Sequence, residues 1–381
     1  MNGLVITNAR IVTRHSVVRG DLVVRDGIIA EIESTASASR AAQALDFDGD
    51  FLLPGLVELH TDNLECAATP RPGVNWPAAS AVTTHDAQMA VCGITTVYDA
   101  LAVGDIRRGS ERLDKLTSLV DAITAMGTAR VLRADHRLHL RCELSYPGLQ
   151  DLLEELIDHA LVGLVSLMDH TPGQRQFVTL DQYKTYYQGK YGLSDTALET
   201  FVADRRRDQE RYAESNRSAV IALTRARGIR VASHDDATAA HIDEAVAAGA
   251  VIAEFPTTLD AAAAARQAGL RILGGAPNIV RGSSHSGNAS ALDFAHAGLL
   301  DILSSDYVPV ALLHAAFKLG TGMKIGLPDA VAAVTANAAA AAGLSDRGMI
   351  AEGLRADLVR VRIVNGIPVA RATWRGGERI A

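Results

Sequence analysis

Six side chains able to hold divalent metal ions stand at the ends of apolar runs along this chain. The first run, Phe51-Leu52-Leu53-Pro54-Gly55-Leu56-Val57-Glu58-Leu59, ends in His60-Thr61-Asp62. Side chains two apart on a strand share a face, so His60 and Asp62 point one way while Val57, Leu59 and Thr61 point the other. Later runs end on Glu143, His170, His234 and Asp306. Each of these alone is an ordinary polar strand end. Five such ends in order, drawn from a chain with only 12 histidines in 381 residues, predict a binuclear metal centre. Mixed imidazole and carboxylate ligation suits two divalent ions such as zinc, manganese or a similar first-row metal. A cation of that kind lowers the pKa of a water it holds toward about 7. Asp306, at the last strand end, is placed to accept the proton released as attack begins.

Those ends need a frame that gathers them. Strands are expected at 52–59, 94–99, 131–142, 161–168, 229–233, 250–254, 271–274 and 299–304, with helices such as 215–227 and 259–268 between them. Alternating strands and helices make parallel βα units, and eight of them close into a TIM-like (β/α)8 barrel whose reactive residues sit at the carboxyl ends of the strands. The fold class is therefore α/β. Residues 3–33 read instead as short alternating strands with an Asp26-Gly27 turn, and the pattern returns after 350 with an Asn365-Gly366 turn. We expect a small β-sandwich from residues 1–53 and 350–381 and the barrel from 54–349. Residues 174–212 interrupt the regular spacing with an insertion rich in Tyr, Arg and Gln, which predicts a substrate-covering loop.

Composition limits the function classes. A hydrophobic content of 48% with 21% charged residues is that of a soluble globular chain. No apolar run of about 18 residues predicts a membrane span, and the amino terminus lacks a secretory pattern, so a cytoplasmic protein is expected. Cys66, Cys92 and Cys142 lack CxxC spacing and are expected as reduced thiols. The net charge of -7 gives no general attraction for nucleic acid. Self-association into a homo-oligomer is left open.

An apolar strand, Pro-Gly, then His-x-Asp resembles the opening of the amidohydrolase superfamily. Some members bridge their two metals with a carbamylated lysine, but Lys115, Lys184, Lys190, Lys318 and Lys324 fall at no barrel strand end, so Glu143 is expected to bridge. Longer segments narrow the resemblance: Glu58-Leu59-His60-Thr61-Asp62-Asn63-Leu64, Arg137-Leu138-His139-Leu140-Arg141-Cys142-Glu143-Leu144, Ser166-Leu167-Met168-Asp169-His170, Ser233-His234-Asp235-Asp236, Ala276-Pro277-Asn278-Ile279-Val280-Arg281-Gly282 and Ser304-Ser305-Asp306-Tyr307. From about residue 50 to the carboxyl end the chain resembles the α-D-ribose 1-methylphosphonate 5-triphosphate diphosphatase family of the carbon–phosphorus lyase pathway. Ser283, where glycine is expected, is a small departure. The resemblance implies hydrolysis of a ribosyl phosphonate 5-triphosphate to the 5-phosphate and diphosphate.

Such a small-molecule substrate demands cations, because the carboxylates of the metal site cancel most of the charge that two divalent ions bring. Arg71, Arg175, Lys190 and Arg281 follow barrel strands and are the expected phosphate contacts, with His285 in the 282–287 loop beside them. Two rivals share the scaffold. A deacetylase or deaminase would leave most of these cations surplus, whereas a nucleoside triphosphate diphosphatase would use them equally.

Overall fold

The structure is a computed structural model, and it describes residues 3–33, 44–106, 111–175, 194–284, 287–322 and 325–381. The terminal β regions open with β1 (Gly3–Val12), β2 (Val17–Arg25), β3 (Ile28–Glu33), β4 (Leu45–Asp46) and β5 (Phe51–Pro54). The middle of the chain carries β6 (Leu56–Thr61), β7 (Ile94–Val103), β8 (Asp135–Glu143), β9 (Val162–Met168), β10 (Arg230–His234), β11 (Ala250–Glu254), β12 (Arg271–Gly275) and β13 (Ile302–Ser304). The chain closes with β14 (Leu358–Val364), β15 (Ile367–Arg375) and β16 (Glu378–Arg379).

Strands β6 to β13 form one sheet in sequence order, each pair parallel. A parallel bridge between Thr61 and Asp306 brings the last strand back to the first. The seam is polar. Thr61 Oγ1 donates to the Asp306 carbonyl at 2.8 Å, and the buried Glu58 carboxylate accepts the backbone N–H of His60 at 2.7 Å and of Ser305 at 2.6 Å. All ten residues of β7 are buried, as a parallel strand covered on both faces requires. Val57 and Leu59 pack in an apolar cluster with Ala338 and Ala339 of the helix Ala336–Ala341, so the period-two reading of this strand holds.

The expected strand 52–59 is in fact two. Residues Phe51–Pro54 pair antiparallel with β14 in the terminal sheet, and the barrel strand starts at Leu56. Gly55 makes the crossing: a side chain there would run into Thr95 and come within 2.9 Å of Asp357 Cβ. Strand β8 begins at Asp135, later than expected, because Asp86 Oδ1 takes the backbone N–H groups of Arg133 (2.8 Å) and Ala134 (2.9 Å) out of the ladder. The insertion also differs from a loop throughout. Residues 195–212 are the first part of a 33-residue helix, Asp195–Arg227, capped by the Ser194 hydroxyl and ended by Gly228 at φ 63°. No Pro or Gly interrupts that stretch.

Both chain ends share the second sheet, in the order β16-β15-β14-β5-β1-β2-β3, with β4 beside β1. Two of its hairpins turn at Asp26-Gly27 and Asn365-Gly366, all four residues at positive φ, as the sequence predicts. Among the described residues no helix is long and apolar enough to cross a membrane.

A buried polar knot ties the helix Ala78–Val91 to β7 and β8. Asp99 accepts from His85 Nε2 and from His136 Nδ1, both at 2.7 Å, and His136 Nε2 lies 3.3 Å from Asp86 Oδ1. Burial opposes the imidazolium, but Asp99 and Asp86 outweigh it and push His136 up to about 9. A raised histidine pKa stabilises fully below its unfolded value of about 6.5 and is lost as pH climbs through its folded value. Unfolding free energy should therefore fall by roughly 1 to 3 kcal/mol between pH 6.5 and 9.5. Urea titrations of the parent and of His136→Gln at both pH values check this. An equal fall in both chains would remove His136 as the cause.

Candidate metal and phosphate site

The carboxyl ends of the barrel strands surround a cavity of about 840 Å³, and His60, Asp62, Glu143, His170, His234 and Asp306 all line it. Every metal-ligand candidate from the sequence is thus brought to one place. Asp235, Phe255 and Asp306 follow the ends of β10, β11 and β13 with φ of 55°, 50° and 54°. Non-glycine residues adopt that conformation at a cost, and such strain collects at functional sites.

Glu254, at the end of β11, is the organiser that sequence reasoning missed. It is fully buried, with Oε1 3.3 Å from His60 Nδ1 and Oε2 3.2 Å from His234 Nδ1. A carboxylate there takes both Nδ1 protons and leaves each Nε2 lone pair open, which is how metal-binding histidines are commonly oriented. The two rings stack with centroids 5.4 Å apart. Burial holds both imidazoles well below their ordinary pKa, so both are neutral and able to donate a lone pair. His139 stands behind them, with Nδ1 2.9 Å from the Leu59 carbonyl.

On the opposite side His170 Nδ1 lies 2.6 Å from Glu143 Oε2, while Ser145 Oγ and the His170 N–H donate to Glu143 Oε1 at 2.8 and 3.2 Å. Burial disfavours charge on His170, but Glu143 and then Asp235 overcome it and raise its pKa. Asp235 is the second residue that sequence reasoning passed over. Its Oδ2 lies 3.5 Å from His234 Nε2 and 3.9 Å from His170 Nε2.

The donor set fits divalent cations. Among the described residues Asp62 Oδ1 and Asp235 Oδ2 are buried without a hydrogen-bond partner. Burial pushes the Asp62 carboxyl up and takes Asp235 and Asp306 to about 7, the latter helped by the charges of Asp62, Glu58 and Asp235. A cavity that strips water from several carboxylates and answers them with open imidazoles is short of positive charge, which a metal ion supplies.

The expected phosphate contacts are placed differently. Arg71 is exposed on the segment whose Thr69, Pro72 and Gly73 line the cavity. Arg281 is exposed at the last position of the helix Ala276–Arg281, whose Asn278 is in the wall. Arg175 is buried, bonded to Asp236 and, at 3.0 Å, to Glu244. Lys190 and His285 lie outside the described residues. Among the described residues three other cations line the cavity: Arg112, Lys115 and Arg141. Arg112 pairs with Glu65, and Lys115 Nζ donates to Thr69 Oγ1 at 2.6 Å. Arg141 precedes Glu143 by two on β8, and that spacing is the signal that could have found it.

The chain is 50% identical to the alpha-D-ribose 1-methylphosphonate 5-triphosphate diphosphatase of Escherichia coli K12, over 99% of this chain and 100% of that protein. It belongs to that diphosphatase family. A more distant relative is the imidazolonepropionase of Deinococcus radiodurans, 26% identical over 96% of this chain and 91% of that protein. No protein-family model matches. Solved structures share the fold along the whole chain. The N-isopropylammelide isopropylaminohydrolase of Burkholderia multivorans has a TM-score of 0.67 at 17% identity, covering 100% of this chain and 98% of that one. The N-acetylglucosamine-6-phosphate deacetylase of Pasteurella multocida has a TM-score of 0.64 at 13% identity, with 99% of each chain covered. Both solved structures share the fold of this chain.

Proposed function

We propose that this chain hydrolyses α-D-ribose 1-methylphosphonate 5-triphosphate, or a close ribose 1-phosphonate 5-triphosphate, to the 5-phosphate and diphosphate in the cytoplasm. The observation that carries the reading is end-to-end identity of 50% with the family's Escherichia coli member. His60, Asp62, Glu143, His170, His234 and Asp306 would hold two divalent ions, with Asp235 adjoining them. When bound, those ions acidify a water and neutralise phosphoryl oxygens. Glu254 keeps the open nitrogens of His60 and His234 aimed at the centre, and Asp306 accepts the proton of the attacking water. Arg71, Arg281, Lys190 and His285 are assigned to the outer phosphates, whereas Arg175 is engaged by Asp236 and Glu244. We take the terminal strands as the small β-sandwich module of 1–53 and 350–381. The apolar cluster that joins Ile6, Leu22 and Phe47 to Leu358 and Trp374 supports it.

Attack at the α phosphorus is favoured over the β. The new bond runs from the water oxygen to Pα as the bond from Pα to the α,β-bridging oxygen breaks, and that oxygen leaves with the electron pair on diphosphate. Diphosphate spreads the charge over two phosphoryl groups, whereas attack at β must expel the sugar phosphate. Phosphorus NMR of the products tests the reaction. In heavy-oxygen water a single turnover should label the ribose 5-phosphate and leave diphosphate unlabelled. Label in diphosphate would mean attack at β.

A further inference from the structure

Arg141 is the cation in this cavity that nothing yet accounts for. It shares a face of β8 with Glu143, while Leu140 and Cys142 point into the apolar cluster behind the strand. Its side chain is half-buried and lines the cavity with the metal-ligand candidates. Its Nε is buried without a hydrogen-bond partner, and among the described residues its guanidinium has no ion pair within 4 Å. The buried arginines elsewhere are matched: Arg175 with Asp236, Arg205 with Asp208 and Arg347 with Asp135. The field of Arg141 falls on the centre itself, acting on His60, Asp62, His170, His234, Asp235 and Asp306.

A guanidinium whose Nε is buried with no partner among the described residues is costly unless an anion completes it. We propose that Arg141 is a catalytic residue that grips the phosphoryl group under attack. Its planar fork matches two phosphoryl oxygens at once, a geometry that an ammonium cannot reproduce. As the water oxygen bonds to phosphorus and the bridging oxygen departs with its electron pair, negative charge builds on those oxygens. A cation already in place stabilises that charge without reorganising. The proposal rests on the diphosphatase reading above for the identity of the substrate, but not for the anion site itself.

The test uses the metal-loaded chain, with inorganic phosphate as the binding probe in calorimetry, because phosphate stands for the attacked group whereas diphosphate is the leaving group; metal content and turnover are measured alongside. Arg141→Gln should keep its melting temperature and two metals per chain, bind phosphate at least about tenfold more weakly, and lose turnover on the order of a hundredfold. Arg141→Lys, which keeps the charge and loses the fork, should still bind phosphate several-fold more weakly; it carries the test if the glutamine variant fails to fold. Parent-like phosphate affinity in the folded variant overturns the proposal. So does tighter metal binding with unchanged phosphate affinity, because Arg141 would then only balance the carboxylates. If the parent fails to release diphosphate from the ribosyl triphosphate while phosphate binding still depends on Arg141, the substrate reading falls and the anion site stands.

Discussion

Asp306→Asn should fold to the same barrel and lose turnover by about two to four orders of magnitude, the range over which a positioned general base acts. The fold survives because the substitution leaves the seam intact. The contacts of Asp306 that close the barrel are made by its backbone, with the N–H donating to Ser304 Oγ at 3.1 Å and the carbonyl accepting Thr61 Oγ1 at 2.8 Å. Its φ of 54° is one that asparagine adopts readily. What is lost is the proton acceptor, since an amide has the shape of the carboxyl but not its basicity. Asp306 is also a proposed metal ligand, so the assay is run with excess metal and the metal content of the variant is measured. A variant with both metals bound and near-parental turnover would show that Asp306 is not the base.

Exhaustive chelation should take turnover to background, and two equivalents of a divalent ion per chain should restore it. Asp62, Glu143, Asp235 and Asp306 line one cavity with no cation but Arg112, Lys115 and Arg141 among its described lining residues. Without metal these carboxylates repel one another and bear the cost of burial, which is why Asp235 and Asp306 rise to about 7. Metal binding removes that cost, and a ligand that binds only the folded state adds about 2.7 kcal/mol at a hundredfold excess over its dissociation constant. The melting temperature should rise with metal and fall on stripping. Undiminished activity after chelation, with no metal left by elemental analysis, would sink the metal reading.

The metal-ligand candidates were legible because strand ends announce themselves. An apolar run that stops on His, Asp or Glu needs only the period of a strand to place the side chain, and His60, Asp62, Glu143, His170, His234 and Asp306 all reach the cavity. The hairpins at Asp26-Gly27 and Asn365-Gly366 were legible for the same local reason, as those dipeptides tolerate positive φ. The helical character of residues 195–212 was present in the absence of Pro and Gly, but the irregular spacing around them pointed to a loop.

The phosphate contacts were harder. Loop arginines such as Arg71 and Arg281 look suitable by position, yet whether a long side chain faces a cavity, a neighbouring carboxylate or solvent depends on residues far away in sequence. Arg175 illustrates this, since Asp236 and Glu244 claim it from 61 and 69 residues away.

The sequence by itself determined which strands carry chemistry and in what order, because strand period, apolar runs and turn dipeptides are local properties of the chain. The tertiary structure alone decided how the metal-ligand candidates are oriented and which cations of the described cavity wall are paired. Glu254 meets His60 across 194 residues, and the His85–Asp99–His136 knot joins a helix to two strands. Among the described residues, closure of the barrel leaves Arg141 without an ion pair beside Glu143. Hydrogen bonds and charge pairs form between whatever the fold brings within a few ångströms, and no local period encodes that distance.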